Sequence, residues 1–357
     1  MATLSLYFGA MHNELAGGRV TLADVAQLAG VSSKTVSNVV HNYPHVSSDL
    51  RTRVKAAIDE LGYRPNLTAR QLVTGKTGMI ALAIPWIDQP YFSELSKFIG
   101  EEASRQGYRI IYEQTANSEE AELAVLRDRE RGLVDGVIFH PVMIDTLEIA
   151  RLRPGTPVVL LGESARPLTT DHVMIDNVRA AREGVELLLS QGRRRIAFHA
   201  TVRDDVTGST HLRLVGYQEA LLAADIPLDP QLVIRSEGWT FNEATSSIAS
   251  AVRDGVRFDA VLCRDDFFAM GALKALAAAG IVVPDDVAVV GWDDTPHALY
   301  CTPTLTTVSP DKHAIARTAL KLLKERMDGY TGIGRHEIVG HTIVERMSTL
   351  PRSHAAL

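Results

Sequence analysis

Two helix-start patterns, one on each side of a glycine, occupy residues 20–40 and restrict what this end of the chain can become. Thr21 precedes an apolar-periodic run and has Asp24 three residues later, which is the spacing of a capping box. Gly30 can end this first helix in a left-handed conformation, and Ser32 can cap a second helix directly after it. The pattern predicts two helices around a tight turn, the plan of a helix-turn-helix.

The second predicted helix has an apolar face and a polar face. Val36, Val39 and Val40 share the apolar side, while serine, lysine and asparagine side chains share the other. A short helix with a small-polar and basic outer face suits the major groove of DNA. A third amphipathic helix is expected over residues 50–61, with Ser47 as its cap. Three such helices are enough for a small bundle.

Charge is distributed unevenly along the chain. Residues 19–76 hold eight Lys or Arg and four Asp or Glu, so this segment carries a formal +4, whereas the whole chain of 357 residues carries −6. A basic head on an acidic body fits phosphate contact that is confined to one end. The alternative is a solvated helical appendage with incidental lysines.

Several stretches resemble the family of the lactose and galactose repressors. The resemblance rests on VTLADVAQLAGVSSKTVSNVV, on ELGYRPNLTARQL after it, and on the later blocks IPWIDQPYFSEL, CRDDFFAMGALKAL and VPDDVAVVGWDD, and it covers residues 20–350. It implies an all-α helix-turn-helix head followed by an α/β core of the periplasmic sugar-binding type, built from two doubly wound parallel-sheet subdomains.

The resemblance also implies which side chains contact DNA. Ser33, Lys34 and Asn38 are expected at base edges in the major groove. Asn38 departs from the arginine common at this position, and because asparagine pairs with adenine rather than guanine, the operator half-site is expected to differ at that base pair. The full predicted DNA-binding set is Thr21, Ser33, Lys34, Thr35, Ser37, Asn38, His41, Asn66, Ala69 and Leu72.

A hinge is expected at residues 66–76, where NLTARQL resembles the hinge helix of the family. So few residues cannot hold a helix alone in water, because helix nucleation is unfavourable, and the hinge is expected to become ordered only with DNA and a second subunit. By resemblance, Leu72 wedges between base steps in the minor groove. The alternative for Leu72 is an ordinary apolar linker residue.

Residues 1–18 contain no Lys or Arg, so we expect a flexible arm rather than a secretory signal, with Met11 as a candidate start. Within the core, the resemblance implies that the chain crosses between subdomains near Asn177, near Thr307 and again after Asp328. The predicted domains are an arm (1–18), a helix-turn-helix head (19–65), a hinge (66–76), a core (77–350, with an N-subdomain of about 77–177 and 308–328 and a C-subdomain of about 178–307 and 329–350) and a tail (351–357).

Short apolar runs alternate with helical patterns through the core. This alternation predicts βαβ units and parallel sheets, with a ligand cleft near the carboxyl ends of the strands. The predicted buried strands are 79–84, 109–112, 137–139, 158–161, 195–198, 232–234, 260–263 and 287–290.

The resemblance places Arg213 and Asp293 in this cleft, where a guanidinium fork and a carboxylate can hold vicinal hydroxyls or a purine edge. Asp265 replaces the asparagine common in the family, whereas Asp266 and Asp294 are expected to cap helices. Aromatic side chains would stack on a ring. The full predicted ligand-binding set is Tyr91, Phe92, His140, Ser209, Arg213, Trp239, Asp265 and Asp293, with Glu163 as a further candidate.

Enzyme, metal and cofactor chemistry are not expected. Adjacent carboxylates such as Asp265 and Asp266 do not face one another, and the two histidines of HEIVGH stand five apart in strand-like sequence rather than four apart on a helix. Cys263 and Cys301 form no disulfide framework, and no apolar run approaches a membrane span, so a cytoplasmic, nucleoid-associated protein is expected.

Together these features predict a sequence-specific DNA-binding regulator, a repressor by the family default. It is expected to act as a homodimer on a near-palindromic operator, under the control of a small effector, a carbohydrate by resemblance. The alternative is a carbohydrate-active enzyme or a transport-type sugar-binding protein with a basic appendage.

Overall fold

The structure is a computed structural model that describes residues 20–40, 43–64, 76–127, 132–152, 156–163, 167–201 and 208–350. The predicted arm, most of the hinge, the tail and four predicted DNA-binding residues (His41, Asn66, Ala69 and Leu72) lie outside these ranges. The chain divides into two compact units, Met1–Thr77 and Gly78–Leu357, which we describe separately and call the head and the core.

The head contains helices α1 (Leu22–Ala29), α2 (Ser33–Val40) and α3 (Ser48–Leu61). The capping box predicted for α1 is present: the Thr21 N–H donates to Asp24 Oδ2 over 2.8 Å, and the Asp24 N–H donates back to Thr21 Oγ1 over 3.4 Å. Gly30 ends this helix with φ at +61°, a conformation that glycine adopts without steric cost.

The second helix begins as expected, because Ser32 Oγ accepts from the Thr35 N–H over 3.2 Å. Ser47 occupies the cap position of α3 but makes no side-chain capping hydrogen bond, so the predicted capping interaction is absent there. The three helices pack around a small apolar core that includes Val25, Val36 and Val54, all fully buried. The head therefore has a core of its own.

The core unit contains twelve strands among its described residues, arranged in two sheets of six. The strands are β1 (Met79–Ile84), β2 (Arg109–Gln114), β3 (Gly136–Phe139), β4 (Val158–Leu161), β5 (Asp171–Ile175), β6 (Ile196–Thr201), β7 (Val233–Ser236), β8 (Ala260–Cys263), β9 (Ala288–Trp292), β10 (Thr306–Pro310), β11 (His336–Val339) and β12 (His341–Val344).

The strand order is β11-β5-β4-β3-β1-β2 in the first sheet and β12-β10-β9-β8-β6-β7 in the second. We call the half built on the first sheet the N-subdomain and the half built on the second the C-subdomain. All neighbouring strands run parallel except β12, which is antiparallel to β10. The predicted fold class, a helical head with two doubly wound parallel sheets, is confirmed.

Helices cover both sheets, as continuous apolar strands require. Polar side chains start several of them: Asp176 caps α7, and Asp311 caps α11, where its Oδ1 accepts from the Ala314 N–H over 2.7 Å. The helices of the core are α4 (Pro90–Arg105), α5 (Glu119–Arg127), α6 (Thr146–Leu152), α7 (Asn177–Ser190), α8 (Ser209–Ala223), α9 (Phe241–Arg253), α10 (Asp266–Ala278) and α11 (Lys312–Met327).

Strand β2 differs in burial from the sequence prediction, and strands β5, β10, β11 and β12 are additional to the eight predicted buried strands. Strand β2, expected to be buried, lies at the edge of its sheet, and Tyr112 on it is 47% exposed. Strand β5 was not predicted, because it opens with Asp171 and His172, which interrupt the apolar pattern. Both side chains are nevertheless fully buried.

The carboxylate of Asp171 is buried because two arginines distant in sequence neutralise it. Arg326 on α11 donates to both of its oxygens, each over 2.9 Å, and Arg335 donates to it over 2.8 Å. The Tyr330 ring lies against both guanidinium groups, 4.6 and 4.3 Å from their central carbons. This Asp171 cluster fixes the segment between α11 and β11 against β5.

The chain crosses between the two subdomains three times, and two crossings differ from the predicted boundaries. The first lies at Asp176, near the predicted Asn177. Strand β10 belongs to the C-subdomain sheet throughout, so the second crossing is at Asp311 rather than near Thr307. The third is at Gly340 rather than after Asp328, because β11 pairs with β5 and β12 pairs with β10. Among the described residues, no helix is long and apolar enough to span a membrane.

Candidate functional site

The residues predicted to contact DNA that fall within the described ranges differ in exposure. Ser33 and Lys34 at the start of α2 are exposed, whereas Thr35, Ser37 and Asn38 are half-buried. Thr21 is engaged in the capping box, which leaves its hydroxyl bonded to Asp24 Oδ2 over 2.8 Å. The outer face of α2 is thus polar and carries one basic residue.

The core contains a cavity of about 600 Å³ between its two subdomains. Its lining follows strand ends: His140 follows β3, Gly162 follows β4, Arg264 follows β8 and Asp293 follows β9. This position agrees with the rule that open α/β sheets bind ligands beyond the carboxyl ends of their strands. All eight residues predicted to bind a ligand line this cavity: Tyr91, Phe92, His140, Ser209, Arg213, Trp239, Asp265 and Asp293.

Arg213 is the central cation of the cavity. Its Nε donates to Asn177 Oδ1 over 2.8 Å, a second nitrogen donates to the Arg264 carbonyl, and its guanidinium lies 4.0 Å from the centre of the Trp292 ring. Asn177 in turn donates to Glu163 Oε1 over 2.7 Å. Because Glu163 follows a strand of the N-subdomain and Arg213 lies on α8 of the C-subdomain, this chain of hydrogen bonds joins the two subdomains at the cavity.

Asp293 is buried in the cavity wall, and its surroundings change the pKa of its carboxyl. Burial raises the pKa of its carboxyl to about 7, although the Arg213 guanidinium opposes the shift. Burial also raises the pKa of Asp266 behind it to about 8, and the charge of Asp293 adds to that increase. The two carboxyls therefore hold protons near neutral pH that they would release in the unfolded chain.

The predicted capping roles of Asp266 and Asp294 are wrong. Asp265 caps α10, since its Oδ1 accepts from the Phe268 N–H over 2.8 Å. Asp266 lies one residue inside the helix and instead accepts from Thr295 and Thr307. Asp294 does not precede a helix directly, and its carboxylate accepts from Arg346 over 2.6 Å.

The N-subdomain side of the cavity is aromatic. The Tyr91 and Phe92 rings meet edge to face at 5.2 Å, and Phe92 meets the His140 ring in the same way at 5.0 Å. Burial lowers the pKa of His140 to about 4, so this imidazole is neutral at physiological pH. A side chain at Gly162 would collide with it, since a Cβ there would lie 2.5 Å from His140 Nε2.

The C-subdomain side carries a charged stack. The Arg264 guanidinium lies 4.0 Å from the centre of the Trp239 ring and is paired with Asp265 over 3.0 Å. Asp265 therefore has both carboxylate oxygens engaged, one by Arg264 and one by the backbone of α10. The Trp239 indole is held in place by this stack and faces the cavity as one of its lining residues.

Four lining residues carry a buried polar atom with no hydrogen-bond partner among the described residues. They are Asn117 (Oδ1), His140 (Nδ1), Arg264 (Nε) and Trp292 (Nε1). Buried polar groups are rarely left unsatisfied, so the walls of the cavity are unusually polar for the interior of a protein.

Sequence reasoning missed several lining residues. Trp292 and Arg264 each stand directly beside a predicted residue at a strand end, so the same strand-end rule could have found them. Trp86, Gln89 and Asn117 follow strands β1 and β2 at slightly greater distances, in loops whose course no local pattern predicts.

The raised pKa values of Asp266 and Asp293 predict that the stability of the fold depends on pH. The pKa values of Asp266 and Asp293 are higher in the folded chain than in the unfolded chain, so the folded chain binds more protons between about pH 4 and pH 8. The contribution of these two carboxyls to the free energy of unfolding therefore falls as pH rises through this range. The decrease is at most about 1.4 kcal/mol per pH unit for each proton that only the folded chain binds. The buried His140 acts in the opposite direction below pH 6.5. Thermal unfolding between pH 6.5 and 8 should therefore show a falling melting temperature for the native chain.

The Asp266→Asn variant isolates this effect. Its amide oxygen can still accept from the Thr295 N–H, and its NH2 group takes the place of the oxygen that accepts from the Thr307 hydroxyl in the native chain. We expect the variant to have a flatter melting-temperature profile than the native chain between pH 6.5 and 8. Parallel profiles for the two proteins would contradict the raised pKa of Asp266.

Comparisons with known proteins support the division into head and core. Residues 21–66 match the model described as bacterial regulatory proteins, lacI family, and residues 185–349 match a periplasmic binding protein-like domain. Catabolite control protein A of Streptococcus mutans is 33% identical over 334 residues, which cover 92% of this chain and 98% of that protein.

Solved structures of bacterial transcriptional regulators are also similar to this chain. A complex of the transcriptional regulator CelR with cellobiose is 30% identical with a TM-score of 0.68, covering 92% of this chain and 100% of that one. The lac repressor dimer bound to operator and the anti-inducer ONPF is 27% identical with a TM-score of 0.79, covering 93% and 100%. With its capped helix-turn-helix head and two-sheet core, the chain belongs to the lacI family of bacterial regulatory proteins and is a DNA-binding transcriptional regulator.

Proposed function

We propose that the protein is a repressor that binds a near-palindromic operator as a homodimer, with an affinity controlled by a small carbohydrate in the core cavity. The observation that carries the ligand class is that the Arg213 guanidinium and the Asp293 carboxyl line the cavity together with the Tyr91 and Trp239 rings. Hydroxyl groups of a sugar can accept from the first group and donate to the second, and the apolar faces of its rings can stack on the aromatic side chains.

The relatives give this proposal independent support. The CelR structure is described as a complex with cellobiose, and the lac repressor structure as a dimer bound to operator. The cavity volume of about 600 Å³ lies within the usual range of small-molecule sites. Within it, Arg213 and Asp293 are proposed to hold ligand hydroxyls, as donor and acceptor respectively, while Trp239 and Tyr91 stack on a sugar ring.

Control of DNA binding follows from the position of the cavity. A ligand that contacts both subdomains favours the relative arrangement in which both sets of contacts form, and it can shift operator affinity only by its different affinity for the two arrangements. The hinge at residues 66–76, including Asn66, Ala69 and Leu72, is proposed to transmit this difference as an equilibrium between ordered and disordered states. His41 is proposed as a phosphate contact.

Selection from a random duplex library tests the DNA-binding part of the proposal. The full chain should enrich a half-site repeated in opposite orientations, and its affinity should fall steeply with salt, because lysine and arginine contacts release counterions from the phosphates. Enrichment of no sequence over random competitor would contradict the proposal.

A thermal-shift screen of mono- and disaccharides, with nucleobases as comparison, tests the ligand part. At least one sugar should raise the melting temperature and change operator affinity in fluorescence anisotropy. Chromatography of each stabilising sugar after incubation addresses the alternative of a carbohydrate-active enzyme. An unchanged sugar is expected, whereas cleavage products would favour that alternative.

Asn38 is proposed to read adenine in the major groove. In the Asn38→Arg variant the bidentate partner becomes guanine, so the selected operator should change at one base pair in each half-site, with a discrimination of about 1–3 kcal/mol. The Ser37→Ala variant serves as a control on the same helix, because Ser37 is expected nearer the phosphates, and we expect it to weaken binding to all sequences evenly. Identical selected sites for the native chain and Asn38→Arg would remove Asn38 from the set of base contacts.

A further inference from the structure

Lys312 is a buried lysine at the junction of the two subdomains. It is the first residue of α11, directly after the second crossing at Asp311, and its side chain is only 7% exposed. A lysine is rarely buried unless its ammonium group is paired. Helix α11 packs against α4 and against strands β3, β4 and β5, so Lys312 starts a helix of the N-subdomain.

Its ammonium group contacts three acceptors from both subdomains. Nζ lies 2.5 Å from Glu94 Oε2 on α4 of the N-subdomain, and 2.6 and 2.9 Å from the carbonyl oxygens of Asp293 and Asp294 in the C-subdomain. An ammonium group has three N–H donors and no acceptor, so these contacts use its full capacity. One nitrogen atom thus joins α4 to the turn that follows β9.

That turn has an unusual backbone. Asp293 and Asp294 have φ values of +99° and +48°, in the region that residues with side chains rarely adopt. The C-subdomain holds the turn through the Asp294 carboxylate, which accepts from Arg346 over 2.6 Å and from Ser309 over 3.0 Å. The N-subdomain holds it through Lys312. The turn is therefore attached to both subdomains.

We propose that Lys312 is a positioning residue that fixes the Asp293–Asp294 turn relative to the N-subdomain and thereby aims the Asp293 carboxylate into the cavity. Lys312 itself lies outside the cavity lining. A ligand that binds Asp293 consequently acts on a turn attached to both subdomains, and a change in their relative placement must break or rearrange the contacts of Lys312. Its relevance to regulation rests on the proposed function, whereas its positioning role does not.

Hydrogen–deuterium exchange of the full chain, without ligand or DNA, tests the positioning role. In Lys312→Met, the amides of Asp293 and Asp294, which donate to the Val308 carbonyl over 2.8 Å and to Thr307 Oγ1 over 3.2 Å, should exchange about tenfold faster than in the native chain. Amides of β1 and β8 should be unaffected. The matched control is Lys324→Met on the same helix, where the lysine is 51% exposed and paired with Asp328, and no change is expected.

Two further variants keep the test decisive. Lys312→Arg should behave like Lys312→Met, because a planar guanidinium cannot place three donors around the point that Nζ occupies. If the methionine variant does not fold, Glu94→Gln should accelerate the same two amides by removing the charge that orients the ammonium group.

The proposal is overturned by native exchange rates in the turn of Lys312→Met, or by equal acceleration in β1 and β8, which would indicate a general loss of stability. Native behaviour of Lys312→Arg would also overturn it, since any cation would then suffice. Because neither operator nor sugar takes part in the measurement, failure of the proposed function would leave these results unaffected.

Discussion

The Arg213→Met variant will fail to respond to the sugar that controls the native protein. Methionine preserves much of the apolar contact with Trp292 but removes the donors that bond Asn177 and the Arg264 carbonyl. Removing a buried hydrogen-bonded charge from a binding site costs roughly 2–5 kcal/mol, so sugar affinity should fall by roughly 30-fold or more. Isothermal titration calorimetry with the sugar identified by thermal shift measures this loss, and anisotropy should show operator affinity close to native.

A matched arginine controls for charge and size. Arg195 is the residue directly before β6 and lies outside the cavity lining. Its guanidinium pairs with Asp229 over 3.3 Å and donates to the Arg257 carbonyl over 2.9 Å. The Arg195→Met variant should bind the sugar with native affinity. A full response of Arg213→Met to the sugar would remove Arg213 from the proposed ligand contacts and would require a different orientation of the ligand.

The Asp171→Asn variant should show the largest loss of stability. Neutralising this carboxylate leaves Arg326 and Arg335 without their shared anion in a buried site. Breaking a buried ion pair from one side costs about 3–5 kcal/mol, which corresponds to a fall in melting temperature of roughly 10 °C for a core of this size. Urea unfolding followed by circular dichroism measures the free energy of unfolding directly.

The Asp171 cluster also predicts how the stability of the fold changes in acid. Burial alone would raise the pKa of Asp171, but hydrogen bonds from Arg326 and Arg335 outweigh it and lower the pKa to about 2. Because the folded value is below the unfolded one, this carboxylate stabilises the fold above about pH 4 and loses that effect as pH falls towards 2. The stability difference between the native chain and Asp171→Asn should therefore narrow below pH 4.

An exposed ion pair serves as the control for the loss of stability expected in Asp171→Asn. Asp328 pairs with Lys324 over 2.7 Å on the surface of α11, and exposed pairs of this kind contribute little. The Asp328→Asn variant should have a free energy of unfolding within about 1 kcal/mol of the native value. Equal losses for the two variants would mean that burial of Asp171 has no energetic consequence.

Much of the fold could be predicted because its determinants are local. The capping box of Thr21 and Asp24 and the left-handed Gly30 act within one helical turn, so their spacing in the sequence is enough to place α1. The cavity could be predicted for a related reason. Parallel strands bring their carboxyl ends to one edge, and residues such as Asp265 and Asp293 stand within two residues of a strand end.

The features that escaped prediction depend on distant partners. Asp171 is tolerated inside β5 only because Arg326 and Arg335 reach it from 155 and 164 residues away. The polar sequence around Gly340 is typical of an exposed hairpin. The two strands on either side of it, β11 and β12, nevertheless belong to different sheets. No local pattern contains that information, because the partners of each strand are determined by the whole fold.

The division of the last two strands between the sheets affects the order in which the protein can form during synthesis. The head takes its core from residues 25–63 and is complete early, whereas both sheets lack an edge strand until residues 336–344 have left the ribosome. Ser348 then closes the C-subdomain by bonding the Val289 carbonyl over 2.6 Å. A premature stop codon after Asp328 would thus release a chain with a finished head and two open sheet edges, at β5 and β10, which is a species prone to aggregation.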